Sequence, residues 1–183
     1  MTFHKLSWGK FYRACLLLGK KIARSDEKID RIIAISRGGL IPARILSDFL
    51  KLPISNIVIS SYSNLKQLKE PEIIETSSAN FSHQTLLIVD EVSDSGKTFH
   101  RALSYFKNTK VNKILTASPY IKPKATFIPN FWVKNIDGWI VFPYDLHETY
   151  DAFAKQFASS KKAIEKMRKI GFSQFELKLL KNS

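Results

Sequence analysis

A chain of 183 residues with a 44% hydrophobic fraction can bury a core without disulfide or metal staples and reads as one domain. No apolar run approaches the roughly 20 residues that span a bilayer, and "MTFHKLSWGKFYR" lacks the charged-then-apolar order of a secretion signal, so the expectation is a soluble, cytoplasmic protein. The formal charge of +13 favours anions (phosphorylated metabolites, nucleic acid or a membrane surface) without choosing among them.

Trp8, Phe11, Tyr12 and Cys15 recur at the spacing of an amphipathic helix that should lie against a sheet. A single cysteine excludes an internal disulfide, and Cys15 among apolar residues reads as packing. "RIIAIS" (Arg31 to Ser36) predicts a strand, Gly38-Gly39 a turn, and Ile41, Ile45, Leu46 and Phe49 a helix. The same order returns at "TLLIVD" (Thr85 to Asp90), "EVSDSG", then Phe99, Ala102, Leu103 and Phe106. Two strand-loop-helix units imply parallel strands with crossover helices, hence an α/β domain. Further strands are expected at Asn56 to Ser61, Glu72 to Ser77, Lys113 to Ser118, Phe131 to Ile136 and Trp139 to Pro143, giving a sheet five or six strands wide. "YSNLKQLKEP" (Tyr62 to Pro71) reads as a long polar loop between antiparallel strands, of the kind that serves as a lid. Leu146, Tyr150, Phe153 and Phe157 share a helical face that the pattern extends through Ile164, Met167 and Ile170, with Gly171 as a stop. "SQFE" (Ser173 to Glu176) matches a capping box and predicts one more short helix. The lysines of "KKAIEKMRK" read as a solvated helix face, and His4, His83, His100 and His147 show no zinc spacing.

"LLIVDEVSDSGKT" (Leu86 to Thr98) ends like a nucleotide-triphosphate loop, but that loop needs Gly where Glu91 stands, so the ATPase reading fails. The strand-to-helix context still places the amides of Asp94 to Thr98 at a helix N-terminus, where they can hold a phosphate with help from the Ser95 and Thr98 hydroxyls. Asp90 and Glu91, at the strand's carboxyl end, suit sugar hydroxyls, directly or through magnesium and its waters. A sugar phosphate satisfies both ends.

The stretch closely resembles the signature by which type I phosphoribosyltransferases bind 5-phosphoribosyl-1-pyrophosphate, with Glu91 in place of the commoner second Asp. The resemblance implies a central, mainly parallel sheet flanked by helices, a small hood, and a helical C-terminal extension over residues 146–183. It implies that Asp90 and Glu91 meet the ribose hydroxyls and Mg2+, that Val92, Ser93 and Asp94 to Thr98 (with Ser95, Gly96 and Lys97) cradle the 5-phosphate, and that Asp94 is the general base. "ISRGGLIP" resembles the family's pyrophosphate loop, which assigns Ser36, Arg37, Gly38 and Gly39 to the leaving group. "SSYSN" (Ser60 to Asn64) resembles the start of the flexible catalytic loop, with Ser61 and Tyr62 at the substrate. "YIKPKA" and "GWIVFPYD" resemble the base-binding elements of the 6-oxopurine branch: Lys122 would donate to the 6-oxo group, Trp139 would stack on the ring, the Ile140 backbone would address the 2-position, and Asp145 closes the motif. The implied reaction is purine salvage, transfer of phosphoribosyl to guanine, xanthine or hypoxanthine, by a homo-oligomer, dimer or tetramer, with no membrane partner. The competing reading is a regulator of the same fold that senses the donor and binds RNA or DNA through its basic tail. Lys122, Asp94 and Trp139 weigh against a nucleic-acid partner, because a pure sensor needs no acceptor site.

Overall fold

The computed structural model describes residues 2–63 and 66–180, apart from the side chains of residues 61–69. Within it the chain forms two compact units, Tyr12–Ile136 and the combination of Met1–Phe11 with Asp137–Ser183.

The larger unit is built on a sheet of strands β2 (Arg31–Ser36), β3 (Ile54–Ser63), β4 (Lys66–Glu75), β5 (Thr85–Val89), β6 (Val92–Ser93), β7 (Lys113–Ile121) and β8 (Phe131–Asn135). Their order is β4-β3-β2-β5-β7-β6, with β8 also paired to β7, so the sheet has seven strands rather than five or six. All pairings are parallel except β3 with β4. The central strands β2 and β5 are unbroken apolar runs because both of their faces are covered. Side chains alternate between two cores. On one face Ile32, Ala34, Leu87 and Val89 meet Leu18 and Ile22 of α1 (Trp8–Ala23) and Ala43 and Leu46 of α2 (Leu40–Leu50). On the other, Ile33, Ile35, Leu86 and Ile88 meet Phe99, Ala102 and Phe106 of α3 (Lys97–Phe106). The helix at the start of the chain is thus where its periodicity puts it, but its phase is turned. Phe11, Ala14, Cys15, Leu18 and Ile22 are buried, whereas Trp8 and Tyr12 are more than half exposed. The Cys15 thiol is pushed up to about 12 by burial, as a packing residue should be.

The expected long loop over 62–71 is a correction. β3 runs to Ser63 and β4 starts at Lys66, with Tyr62 opposite Gln67 and Ser63 opposite Lys66, so the polar stretch is mostly hairpin strand. Lys, Gln and Glu at a sheet edge carry little apolar alternation, and β4 is the edge strand.

Leaving β2, the chain first winds outward through β3 and β4, then returns to place β5 and β7 on β2's other side. The loops after β2 and β5 therefore emerge side by side where the winding reverses, the position at which open α/β sheets take ligands.

In the smaller unit, β1 (Phe3–Lys5) pairs in parallel with β9 (Trp139–Val141), so the strand expected to 143 is shorter and lies outside the large sheet. Helices α4 (Leu146–Phe157), α5 (Ser160–Lys169) and α6 (Gln174–Leu179) follow. Val141, Phe153, Ala163, Met167, Phe172, Leu177 and Leu180 form its core. The apolar pattern of the tail does not continue as one helix, because Ala158 turns left-handed (φ 47) and Ser159 caps α5 through the Lys162 amide. Ser173 and Glu176 form the expected capping box of α6.

Candidate active site

The loop after β5 forms a cavity of about 150 Å³ lined by Asp90, Glu91, Val92, Ser93, Asp94, Ser95, Gly96, Thr98 and Phe99. Eight of these nine residues are ones the sequence assigns to the donor site; Phe99 joins them from the first turn of α3. Between Asp90 and Thr98, Lys97 is the residue that does not line the cavity, and its ammonium lies 3.8 Å from Glu70 of β4.

Asp90 sits at the carboxyl end of β5, 9% exposed, and its Oδ1 accepts the Glu91 amide at 2.9 Å. Burial, and then the neighbouring Glu91 charge, hold its carboxyl well above the usual carboxylate range. Glu91 reaches across to the loop after β2. A Cβ on Gly38 would overlap its carboxylate, and its Oε2 is buried without a hydrogen-bond partner. Glu91 thus has an acceptor oxygen to spare beside the turn that the sequence assigns to pyrophosphate. That arrangement fits a divalent cation held by two carboxylates with water and substrate oxygens. Among the described residues no group of three or more His, Cys, Asp or Glu forms a self-sufficient metal cage.

In the turn itself the Ser36–Arg37 peptide is cis, Ser36 is half-buried and Arg37 is exposed. The Gly39 amide donates to Ile35 O at 2.8 Å, and a Cβ there would strike the carbonyl oxygens of Val89 and Ile35. Bare glycines thus let the two loops touch.

The end that the sequence assigns to phosphate is built by Ser93 to Thr98 running into α3, with Gly96 as N-cap at φ 85. Asp94 and Ser95 are exposed at its rim. Behind the loop runs Lys122 to Phe127. The Lys122 amide donates to Ser93 O (2.9 Å), the Thr126 amide and hydroxyl both donate to Ser95 O (3.3 and 2.5 Å), and the Ser93 hydroxyl donates to Phe127 O (2.7 Å). The Phe127 ring stacks on Phe99 at 5.2 Å. The sequence reading of this segment stops at Ala125, short of Thr126 and Phe127, because a hydroxyl beside an aromatic in a turn has no pattern of its own.

The other assigned residues are not all at this cavity. The side chains of Ser61 and Tyr62, and all of Asn64, lie outside the described residues. Lys122 is half-buried at the end of β7. Trp139, Ile140 and Asp145 belong to the smaller unit. There Trp139 is 46% exposed, Ile140 is buried, and Asp145 Oδ2 accepts the Phe142 amide at 2.9 Å, which closes a turn before α4.

The chain matches the family described as phosphoribosyl transferase domain over residues 6–151. A xanthine-guanine phosphoribosyltransferase from Idiomarina loihiensis is 30% identical over 148 residues, which cover 79% of this chain and 88% of that protein. Among solved structures, a purine phosphoribosyltransferase from Pyrococcus horikoshii superposes with a TM-score of 0.70 at 33% identity, covering 79% of this chain and 95% of its own. A xanthine-guanine-hypoxanthine phosphoribosyltransferase from Helicobacter pylori does so with a TM-score of 0.67 at 25% identity, covering 80% and 97%. With the match extending from Leu6 to Asp151 and the acidic strand end, glycine turn and phosphate loop all inside it, the chain belongs to the phosphoribosyl transferase family.

Proposed function

We propose that this protein is a purine-salvage phosphoribosyltransferase that moves the phosphoribosyl group of 5-phosphoribosyl-1-pyrophosphate to N9 of guanine, xanthine or hypoxanthine. The observation that carries this reading is the cavity after β5, in which an acid pair faces one way and a helix N-terminus the other. The names of the relatives from Idiomarina loihiensis and Helicobacter pylori support the 6-oxopurine branch.

In this reading the 5-phosphate takes the amides of Asp94 to Thr98 and the ribose hydroxyls lie on Asp90 and Glu91. Ser36 to Gly39 bind the pyrophosphate, with Arg37 supplying charge. Asp90 and Glu91 are the residues that would hold magnesium, which when bound with the donor would neutralise the charge of the leaving group. The C1–O bond breaks with its electron pair leaving on pyrophosphate, and the N9 lone pair closes on C1. Asp90 and Glu91 stabilise the oxocarbenium-like ribose between these events. Asp94 accepts the proton the imidazole ring of the purine must lose, at N7. Lys122 donates to the 6-oxo group. Trp139 stacks on a purine ring and the Ile140 backbone reads its 2-position.

The test is pyrophosphate release from the donor with magnesium and each of guanine, xanthine, hypoxanthine and adenine. Release with one or more oxopurines and none with adenine is the expected result, because adenine offers no 6-oxo acceptor to Lys122. Release with adenine alone, or with no base, overturns the assignment.

A further inference from the structure

The residues that touch the donor in the proposed reaction do not by themselves explain why the 93–96 loop presents its amides to the cavity. The answer lies behind the loop. A trans peptide holds its C=O and the following N–H on opposite sides. The carbonyls of Ser93 and Ser95 are both bound by Lys122 to Thr126, which takes no part in lining the cavity. The amides of Asp94 and Gly96 must therefore face away from that segment, toward the cavity, and among the described residues no other group engages either one.

From this we infer that Thr126 is a positioning residue of the phosphate site, which, by donating both its amide and its hydroxyl to Ser95 O, aims the Gly96 amide at the bound phosphate. Ser93 completes the clamp through its hydroxyl on Phe127 O. The inference rests on the proposed reading of the cavity as a sugar-phosphate site. Thr126 is itself exposed and contacts the loop from behind. Removing its hydroxyl leaves every cavity-lining side chain in place and frees the Ser95–Gly96 peptide to rotate.

The test is calorimetric titration of the full chain with ribose 5-phosphate, comparing Thr126→Val, which keeps the shape and loses the donor, with Thr126→Ser, which keeps the donor. The valine variant is expected to bind ribose 5-phosphate at least fivefold more weakly, and the serine variant within twofold of the parent. A general loss of packing would not be rescued by the smaller serine. Thr126→Ala is the second variant, expected to weaken binding at least fivefold, and it decides the matter if the valine variant does not fold. Unchanged affinity in both hydroxyl-deleting variants, or a parent protein that does not bind ribose 5-phosphate, would overturn the inference. A parent that binds ribose 5-phosphate but releases no pyrophosphate with any base would sink the transferase reading and leave the clamp standing.

Discussion

Two neighbouring glycines in the turn after β2 do different work. A methyl group on Gly38 would meet the free end of the Glu91 side chain, which can swing aside, whereas one on Gly39 would meet strand carbonyls that cannot. Gly39→Ala is therefore expected to lower the melting temperature by about 2 °C or more, since overpacking costs about 1–3 kcal/mol and each kcal/mol moves Tm by ~2–4 °C at this size. Gly38→Ala should leave Tm nearly unchanged but lower kcat/KM for the donor by about tenfold or more, because the carboxylate it displaces is misplaced for the substrate. Parallel melts and kinetics on the two variants check this, and equal behaviour would refute it. Asp94→Asn should reduce kcat by about tenfold at least with donor KM preserved, as expected of a lost general base; an unchanged kcat would remove Asp94 from that role. For Asp90 the sign runs against stability. Its folded pKa is raised, so folding is penalised increasingly as pH climbs above the unfolded value near ~3.9 and fully above the folded one. Asp90→Asn can still accept the Glu91 amide and should melt about 2 °C or more above the parent at pH 8, with the gap closing toward pH ~4, while losing activity. Melts across that range read the effect directly.

At the level of elements, α6 is the clearest case of a local sequence rule setting a boundary. Ser173 accepts the Glu176 amide at 3.2 Å and Glu176 accepts the Ser173 amide at 2.6 Å, while Lys5 ion-pairs with the same carboxylate at 3.2 Å. Ser173→Ala should cost about 1 kcal/mol of local stability, seen as faster amide exchange at Leu177 and Leu180 without a change in the transfer reaction. Such rules made α3, β2 and β5 legible from the amino acids alone, because a covered strand is an apolar run and a one-sided helix repeats every three to four residues. They failed where the deciding partner is remote. The antiparallel pairing of β3 with β4 was expected, but its extension into the polar stretch after Tyr62 rests on cross-strand bonds that the sequence does not announce. The buried stripe of α1 depends on which neighbour faces it, so Trp8 and Tyr12 gave the period but not the phase. The acid pair and glycine turn were legible because phosphate and sugar chemistry constrain residue type. The Glu91–Gly38 contact was not, since it joins two loops 53 positions apart that only the order of the sheet brings together.

For the molecule as a whole, a charge of +13 and an anionic donor make encounter salt-dependent. Raising ionic strength from about 20 to 300 mM should lower kcat/KM for the donor several-fold and leave that for the uncharged base nearly constant; matched losses for both would point away from steering. The smaller unit carries another consequence, one of biosynthesis. Its strand β1 is made before its partner β9, which arrives about 130 residues later. At elongation rates of ~5–20 residues per second that is a delay of about 7 to 26 seconds, during which Tyr12 to Ile136 is synthesised while Phe3 to Lys5 waits unpaired. A three-residue strand carrying His4 and Lys5 is short and polar enough to wait on the ribosome without recruiting a foreign edge.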